Sequence, residues 1–500
     1  MPSFADPEVV VIGAGPSGLF AAAELARHGV VARVLERLPE PHRQTRATAI
    51  QPGTLELLAR AGLVDRFLAA SVHVTAARVV DEDLQLVSEL PYSGIDCPWP
   101  FQCSLPQWRT EQILAEHLAR LGVVVERGVA VSSMEERDDG VLIKLEQADG
   151  RSTAVEAAWV VGAGGAHSVM RTSMAETLEG FTYPGTVLAA DVRVRCDLSH
   201  QISNLVATPR GFVLLAPLPD ERWLTFVGVL DDDELAHLTR ASPAEVVAAG
   251  IGRRITADVA VEDVGWATSF HMHQRVAPRL AQGRRFLLGD AGHLSSPFGG
   301  EGLNAGLHDA QDIAWKLALA VRGHARPVLL ESFEFERLAA DHHVLEVSGQ
   351  IDGMVRGAVE AARTGVRPSP ATPAKRAAMA RARCLLDVTY AGSPLVGEHL
   401  GPGAEPLPPG PGDRFPGRAA LTGTGHCLLV SGGADAAGVE RLRRRWRGLV
   451  DVVDGSGDPV ASSGALLVRP DGYVGFRVTP ADAAGLAALD AFLDSYLVPG

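Results

Sequence analysis

The stretch EVVVIGAGPSGLFAAAELARHGVVARVLE, residues 8–36, decides how the chain is read. Val9 to Ile12 is a β-branched run of strand length, and glycines cut it off before a segment with helical spacing. Leu19, Ala22, Ala23 and Ala26 repeat along that helix, and Val30 to Leu35 reads as a second strand. Strand, tight turn, helix and strand open a parallel sheet. Within this unit Gly13-Ala14-Gly15-Pro16-Ser17-Gly18 has the G-x-G-x-x-G spacing. Gly13 permits the turn, Gly15 lets backbone approach a pyrophosphate, and Gly18 lets helix and strand pack closely. Pro16 suits the first helical turn, where its missing N–H costs nothing. The helix start at Ser17 offers N–H groups and positive dipole to phosphate, and Glu36, with Arg37 beside it, stands where a ribose would be bound. The alternatives are a plain glycine-rich turn and a solvated strand end. The strand-helix-strand context weighs against both.

The whole chain has 500 residues, 46% apolar and 21% charged, a composition that excludes disorder and a lone small module. About three domains are expected at this length. Its 46 Lys+Arg against 60 Asp+Glu leave a net charge of −14, which argues against nucleic acid or an anionic membrane as partner. Five cysteines, Cys97, Cys103, Cys196, Cys384 and Cys427, form no CxxC pair and indicate a reducing, cytoplasmic setting. No basic leader precedes the first apolar run, and no apolar stretch reaches the length of a membrane span. A small-molecule enzyme working as monomer or homodimer is the expectation.

Farther along, Gly211–Leu218 and Arg222–Leu230 read as strands bounded by Pro, Gly and Asp, so an antiparallel, β-rich middle region is expected. Residues 303–321 have the strongest helical pattern, with Leu303, Leu307, Ala310, Ala314, Leu317 and Val321 at steps of three and four. Just before that helix, RRFLLGDAGHLSSPFGGEGLNAGLHDAQDIAWKLA places an apolar strand against Gly289-Asp290-Ala291. A carboxylate at such a strand end can hold a polyol, and a helix start can face an electron-rich ring.

This segment resembles the second FAD motif of the class A flavoprotein monooxygenases, the aromatic hydroxylases. Arg46 in TRATAIQPGTLELL, Gln107 in LPQWRTEQIL and the segment VGAGGAHSVMR at 161–171 are similar to further stretches of that family. GDRFPG at 412–417 and LLVRPDGYVGFR at 466–477 resemble the thioredoxin-like carboxy-terminal domain of its aromatic-polyketide subgroup.

The resemblance implies an α/β fold: a Rossmann-like FAD-binding domain of the p-hydroxybenzoate hydroxylase type, an inserted antiparallel-sheet substrate domain and a thioredoxin-like carboxy-terminal domain. The corresponding divisions are residues 1–178, with 75–105 contributing to the substrate domain, then 179–268, 269–395 and 400–500. Asp290 would bind the ribityl chain, and the backbone at Gly300, Gly302, Leu303 and Asn304 would face the isoalloxazine, with Pro297 in the loop beside the ring. Arg46 would reach the flavin from the opposite loop, and Gln107 would bond the ribityl or phosphate portion. As plain structure, Arg46 would be a surface ion-pair residue and Gln107 a turn residue.

Two positions depart from the family pattern. Gly164 stands where an Asp is usual, leaving donors such as Arg171 in need of another partner and putting reduction by nicotinamide in doubt. Glu301 stands where Gln is usual.

The implied reaction uses FAD, NADPH or NADH, and O2, through a C4a-hydroperoxyflavin, to hydroxylate a polycyclic aromatic substrate of polyketide type. Trp223 or Phe226 would line the substrate, at most one of them, because they lie on opposite faces of one strand. His271 and His273, on one face of an extended stretch, are the candidate bases for a phenol, against a purely structural role. Baeyer–Villiger or rearrangement chemistry on the same scaffold, and a flavin-binding protein not reduced by nicotinamide, stay open at this stage.

Overall fold

The computed structural model describes residues 7–43, 45, 47–229, 242–366, 369, 371–416, 423–455 and 464–500. Val9–Ile12 sits inside a six-stranded sheet between Trp159–Gly162 and Arg33–Glu36, parallel to both. Arg285–Leu287 and Val125–Arg127 extend the parallel array on either side, and Ala281–Gln282 adds an antiparallel edge. All four residues of the first strand are buried, as expected of a parallel strand covered on both faces. The helix Pro16–Arg27 packs on the long helix Gly302–Val321, so the two glycine motifs, far apart in sequence, share one end of the sheet.

A second, seven-stranded sheet runs in the order Ala260–Phe270, Thr186–Arg195, Arg222–Val229, Gly211–Leu218, Ile202–Thr208, Ala76–Val80, Leu86–Pro91. Its neighbours are antiparallel except Ile202–Thr208 with Ala76–Val80. Strand periodicity sends alternate residues to two different cores. On one face Val213, Leu215, Trp223 and Val227 pack with Val247 and Ile251 of the helix Pro243–Gly252, whose start is held by a Ser242–Glu245 capping box. On the other face Phe212, Leu224 and Phe226 pack with Val347, Ile351 and Val355 of the 38-residue helix Pro327–Thr364 and with Phe298.

The carboxy-terminal sheet has the order Gly397–Leu400, Val474–Thr479, Ala465–Val468, His426–Val430, Val450–Asp454, with helices Ala436–Arg445 and Ala483–Tyr496. This is a thioredoxin-like βαβ–ββα arrangement, and Cys427 on its first βαβ strand is unpaired in the disulfide sense. A fully buried charge cluster ties it to the dinucleotide domain. Arg469 bonds Glu336, whose Oε2 lies 2.8 Å from its Nη2, and Lys316 Nζ bridges Asp312 (2.7 Å) and Glu336 (2.6 Å). Removing one partner from such a cluster costs about 3–5 kcal/mol, so the cluster holds the two units to one docking geometry. Among the described residues no helix is long and apolar enough to cross a membrane.

Candidate functional site

At the first glycine motif, two glycines are demanded by packing and one by open space. Gly13 has φ +104°, and a Cβ there would lie 2.3 Å from the Ala163 carbonyl oxygen. A Cβ on Gly18 would lie 2.0 Å from the Gly13 carbonyl oxygen. Around Gly15, by contrast, a Cβ would meet nothing within 4 Å. Gly15 is the N-cap of the helix and provides no side-chain cap, Pro16 follows it, and the N–H groups of Ser17 and Gly18 have no intrahelical acceptor.

Glu36 supports this turn. Its Oε2 accepts the Ala14 N–H at 2.8 Å and its Oε1 the Leu38 N–H at 2.9 Å. Arg37 is exposed at the same strand end. Gln107 opens the helix Gln107–Arg120 and donates from Nε2 to Glu111 Oε1 at 2.9 Å. Burial raises the Glu111 pKa, with Glu36 among the charges that act on it, so Gln107, Glu111 and Glu36 share one edge of the motif. Arg46 lies outside the described residues.

The second motif begins where Arg285–Leu287 ends. Gly289–Ala291 forms one 3-10 turn that leaves Asp290 exposed. Gly289 has φ +55°; a Cβ there would lie 2.6 Å from Ser17 Oγ, and one on Gly306 would lie 2.3 Å from the same atom. Three elements therefore meet through residues too small to hold them apart.

Beneath the turn, Asp309 accepts the Gly289 N–H at 2.9 Å, His293 Nε2 at 2.8 Å and Arg337 Nε at 2.8 Å. His293 is thus a structural residue of the motif.

The loop Pro297–Gly300 leads into the long helix. Gly300 has φ +69°, and a Cβ there would come within 2.7 Å of Ala49 Cβ. Asn304 is buried and clamps the loop: its Oδ1 accepts the Gln51 N–H at 2.8 Å, and its Nδ2 donates to Ala49 O at 2.8 Å and Gly300 O at 2.6 Å. Only its backbone N–H, with those of Gly302 and Leu303 in the first turn, is left to face a ring.

These features fit FAD: an open glycine at an uncapped helix start, an exposed carboxylate at the neighbouring strand end, and a second helix start behind a glycine loop.

Beyond the loop lies an aromatic cluster. Phe298, next to Pro297, meets Phe212 edge to face with centroids 4.9 Å apart, and Phe226 meets Phe270 at 5.8 Å. Gly228 makes room for Phe212, since a Cβ there would come within 2.3 Å of its ring. Sequence reasoning named Pro297 and Phe226 but missed Phe298 and Phe212; the signal for Phe298 was a lone aromatic between the motif's proline and glycines.

Three candidates are corrected by the geometry. Trp223 belongs to the opposite face of its strand, packed in the core under Pro243–Gly252 with its ring against His200, so it does not line this cluster. His271 is exposed, with Nδ1 3.0 Å from the Gly185 carbonyl oxygen, and His273 Nδ1 lies 2.9 Å from Thr182 Oγ1. Met272, between them, is the residue buried in the aromatic cluster. Alternation along extended chain thus turns both imidazoles away from the aromatic cluster that Met272 enters.

The segment at 161–171 is also satisfied without a carboxylate. Arg171 donates to Ala291 O at 2.9 Å and to Ala166 O at 2.5 Å, and Gly164 is exposed.

Residues 6–348 match the family model described as FAD binding domain, and residues 410–497 that described as aromatic-ring hydroxylase, C-terminal. The chain is 35% identical to 6-methylpretetramide 4-monooxygenase of Streptomyces rimosus, covering 100% of this chain and 95% of that protein. Among solved structures it matches anhydrotetracycline hydroxylase from Streptomyces rimosus at 29% identity and TM-score 0.77, covering 99% of this chain and 100% of the other. It also matches aklavinone-11 hydroxylase, solved with FAD and aklavinone, at 26% identity and TM-score 0.81, covering 98% and 99%.

Proposed function

The chain belongs to the FAD-dependent aromatic-ring hydroxylases, and from that membership we propose that it oxygenates a polycyclic aromatic substrate of polyketide type, using O2 and either NADPH or NADH. The observation that carries the substrate class is the buried aromatic cluster built on Phe212, Phe226 and Phe298, directly continuous with the loop Pro297–Gly300. Phenyl rings meeting edge to face present flat apolar walls suited to a fused ring system.

FAD, when bound, supplies hydride acceptance and oxygen activation; the chain's part is to hold, orient and shield. Ser17 and Gly18 would hold the pyrophosphate on their N–H groups, Glu36 the ribose, and Asp290 the ribityl hydroxyls. The start of Gly302–Val321 would offer positive dipole to the negative charge of the ring. Phe298 and Phe226 orient the aromatic substrate and keep water from the reacting face.

Purified protein should be yellow, and a polycyclic phenol should accelerate NAD(P)H and O2 consumption. With isotopically labelled O2, mass spectrometry should find one labelled oxygen in the product. Asp290→Ala should fold but lose FAD. Colour without oxygen transfer to any polycyclic phenol would overturn the reading.

A further inference from the structure

Glu301 is a buried carboxylate without a hydrogen-bond partner among the described residues. It is 0% exposed, and neither side-chain oxygen accepts a hydrogen bond from a described group. Leaving an ionised carboxylate in that condition is costly, so its charge state is open to whatever comes to lie beside it. Its position gives the cost a use. Glu301 is the N-cap of Gly302–Val321 but supplies no cap bond. The side chain instead folds back over the loop: a Cβ on Gly299 would fall 1.8 Å from one of its oxygens. The carboxylate is therefore packed against the loop and first helical turn that carry the flavin-facing backbone.

Among the described residues three ionisable groups interact with it. Arg383 comes from the helix Pro373–Arg383, and the others are Tyr92 and Cys384; Tyr92 is itself buried and bonded to Gln102 Oε1 at 3.5 Å. Arg383 is half-buried, with its Nε lacking a hydrogen-bond partner, and is the cation facing the carboxylate. Burial raises the Glu301 pKa to about 7, while Arg383 and the residue's own backbone N–H pull it down. Tyr92 and Cys384 are pushed up to about 12 by burial, so neither changes charge near neutrality. Among the described groups facing this site, Glu301 is the one poised to gain or lose a proton.

We propose that Glu301 is a charge-compensating residue that takes up a proton from solvent as the bound flavin is reduced, offsetting the negative charge that builds at the start of Gly302–Val321. The inference rests on the FAD reading and goes beyond it. The balance is simple: two electrons and one proton enter the flavin, a second proton neutralises the Glu301 carboxylate, and on reoxidation that proton returns to solvent. A helix start alone stabilises the anion with a fixed partial charge. Glu301 adds a response that depends on pH: ionised, it opposes reduction; protonated, it does not.

The test is a redox titration of the FAD-loaded protein at several pH values on either side of 7, read by flavin absorbance, with FAD content measured separately from the colour of each preparation. The wild type should take up two protons per two electrons in a window opening just above pH 7, and Glu301→Gln one proton in that window. Glutamine is close in size and shape, so the variant should retain FAD. Arg383→Met supplies an independent arm: without its cation, Glu301 titrates higher and the two-proton window moves to higher pH. Equal proton counts for wild type and Glu301→Gln, or an unmoved window in Arg383→Met, would overturn the assignment. Colourless wild-type protein would instead bring down the FAD reading on which it stands.

Discussion

His293 Nε2 stands 2.8 Å from Asp309 Oδ2, with both side chains buried, directly beneath the turn that presents Asp290. Burial by itself would lower the imidazole pKa, but Asp341, Asp309 and the hydrogen bond to Asp309 outweigh it and hold His293 at about 9. The protonated ring is part of the site's scaffold: it neutralises a carboxylate that also holds the Gly289 N–H and Arg337.

Asp309→Asn should therefore lose more than one bond. Breaking a buried pair of this kind costs about 3–5 kcal/mol, and the Gly289 turn would lose its anionic anchor. Calorimetry should show the destabilisation, and the variant should bind FAD more weakly. The pH dependence follows from the raised pKa. Stabilisation by His293 is fully present below its unfolded value of 6.5 and is lost as pH rises through about 9, so stability should fall across that window. In Asp309→Asn the alkaline fall should be smaller.

Gly15 and Gly18 should respond oppositely to alanine. Gly15 has φ −75°, an angle alanine accepts, and its Cβ would enter open space, so Gly15→Ala should keep its melting temperature and lose FAD affinity. Gly18→Ala places a methyl 2.0 Å from the Gly13 carbonyl oxygen. Overpacking of that sort costs about 1–3 kcal/mol, so Gly18→Ala should lower stability in the cofactor-free protein as well. Melting curves with and without FAD separate the two.

Phe226 and Trp223 form a second contrast, between two cores on one strand. Phe226→Leu removes an aromatic face beside the loop of Phe298; an aromatic pair with a substrate ring is worth about 0.5–1.5 kcal/mol, so affinity for a polycyclic phenol should fall up to about tenfold. Trp223→Phe should lower thermal stability and leave that affinity unchanged, because its ring packs beneath Pro243–Gly252. Equilibrium binding to the FAD-loaded proteins is the measurement; equal losses in both variants would contradict the division of faces.

How much of this was legible beforehand depends on the range of each signal. The turn at Gly13–Gly18 could be read because its rules are local: a strand, three glycines and a helix within a few residues. Asp290 could be read through the motif that surrounds it. Trp223 and Phe226 could be placed on opposite faces by alternation, but which face meets the flavin loop depends on two distant helices, Pro243–Gly252 and Pro327–Thr364, and alternation carries no such information. His271 and His273 failed for the same reason: the period gave them a shared face but not which one. The Arg469–Glu336–Lys316 cluster joins residues 133 and 20 positions apart, and no spacing rule connects them. Glu301 was visible as a departure from Gln, while its lack of partners came only from three-dimensional packing.

Gly164→Asp tests whether the other departure weakens the enzyme. A Cβ at Gly164 would approach only Ser168, at 3.7 Å from its Cα, so the carboxylate should be accommodated without loss of stability. A faster enzyme would require an unsatisfied donor waiting for that carboxylate. Arg171 is not one: its guanidinium already bonds the Ala291 and Ala166 carbonyl oxygens, and its backbone N–H donates to Ser168 Oγ at 3.2 Å. The surroundings are built for glycine. Stopped-flow reduction of bound FAD by NADPH or NADH should therefore run within about twofold of wild type in Gly164→Asp. A gain of about tenfold, equivalent to about 1.4 kcal/mol in the barrier, would show instead that glycine limits hydride transfer.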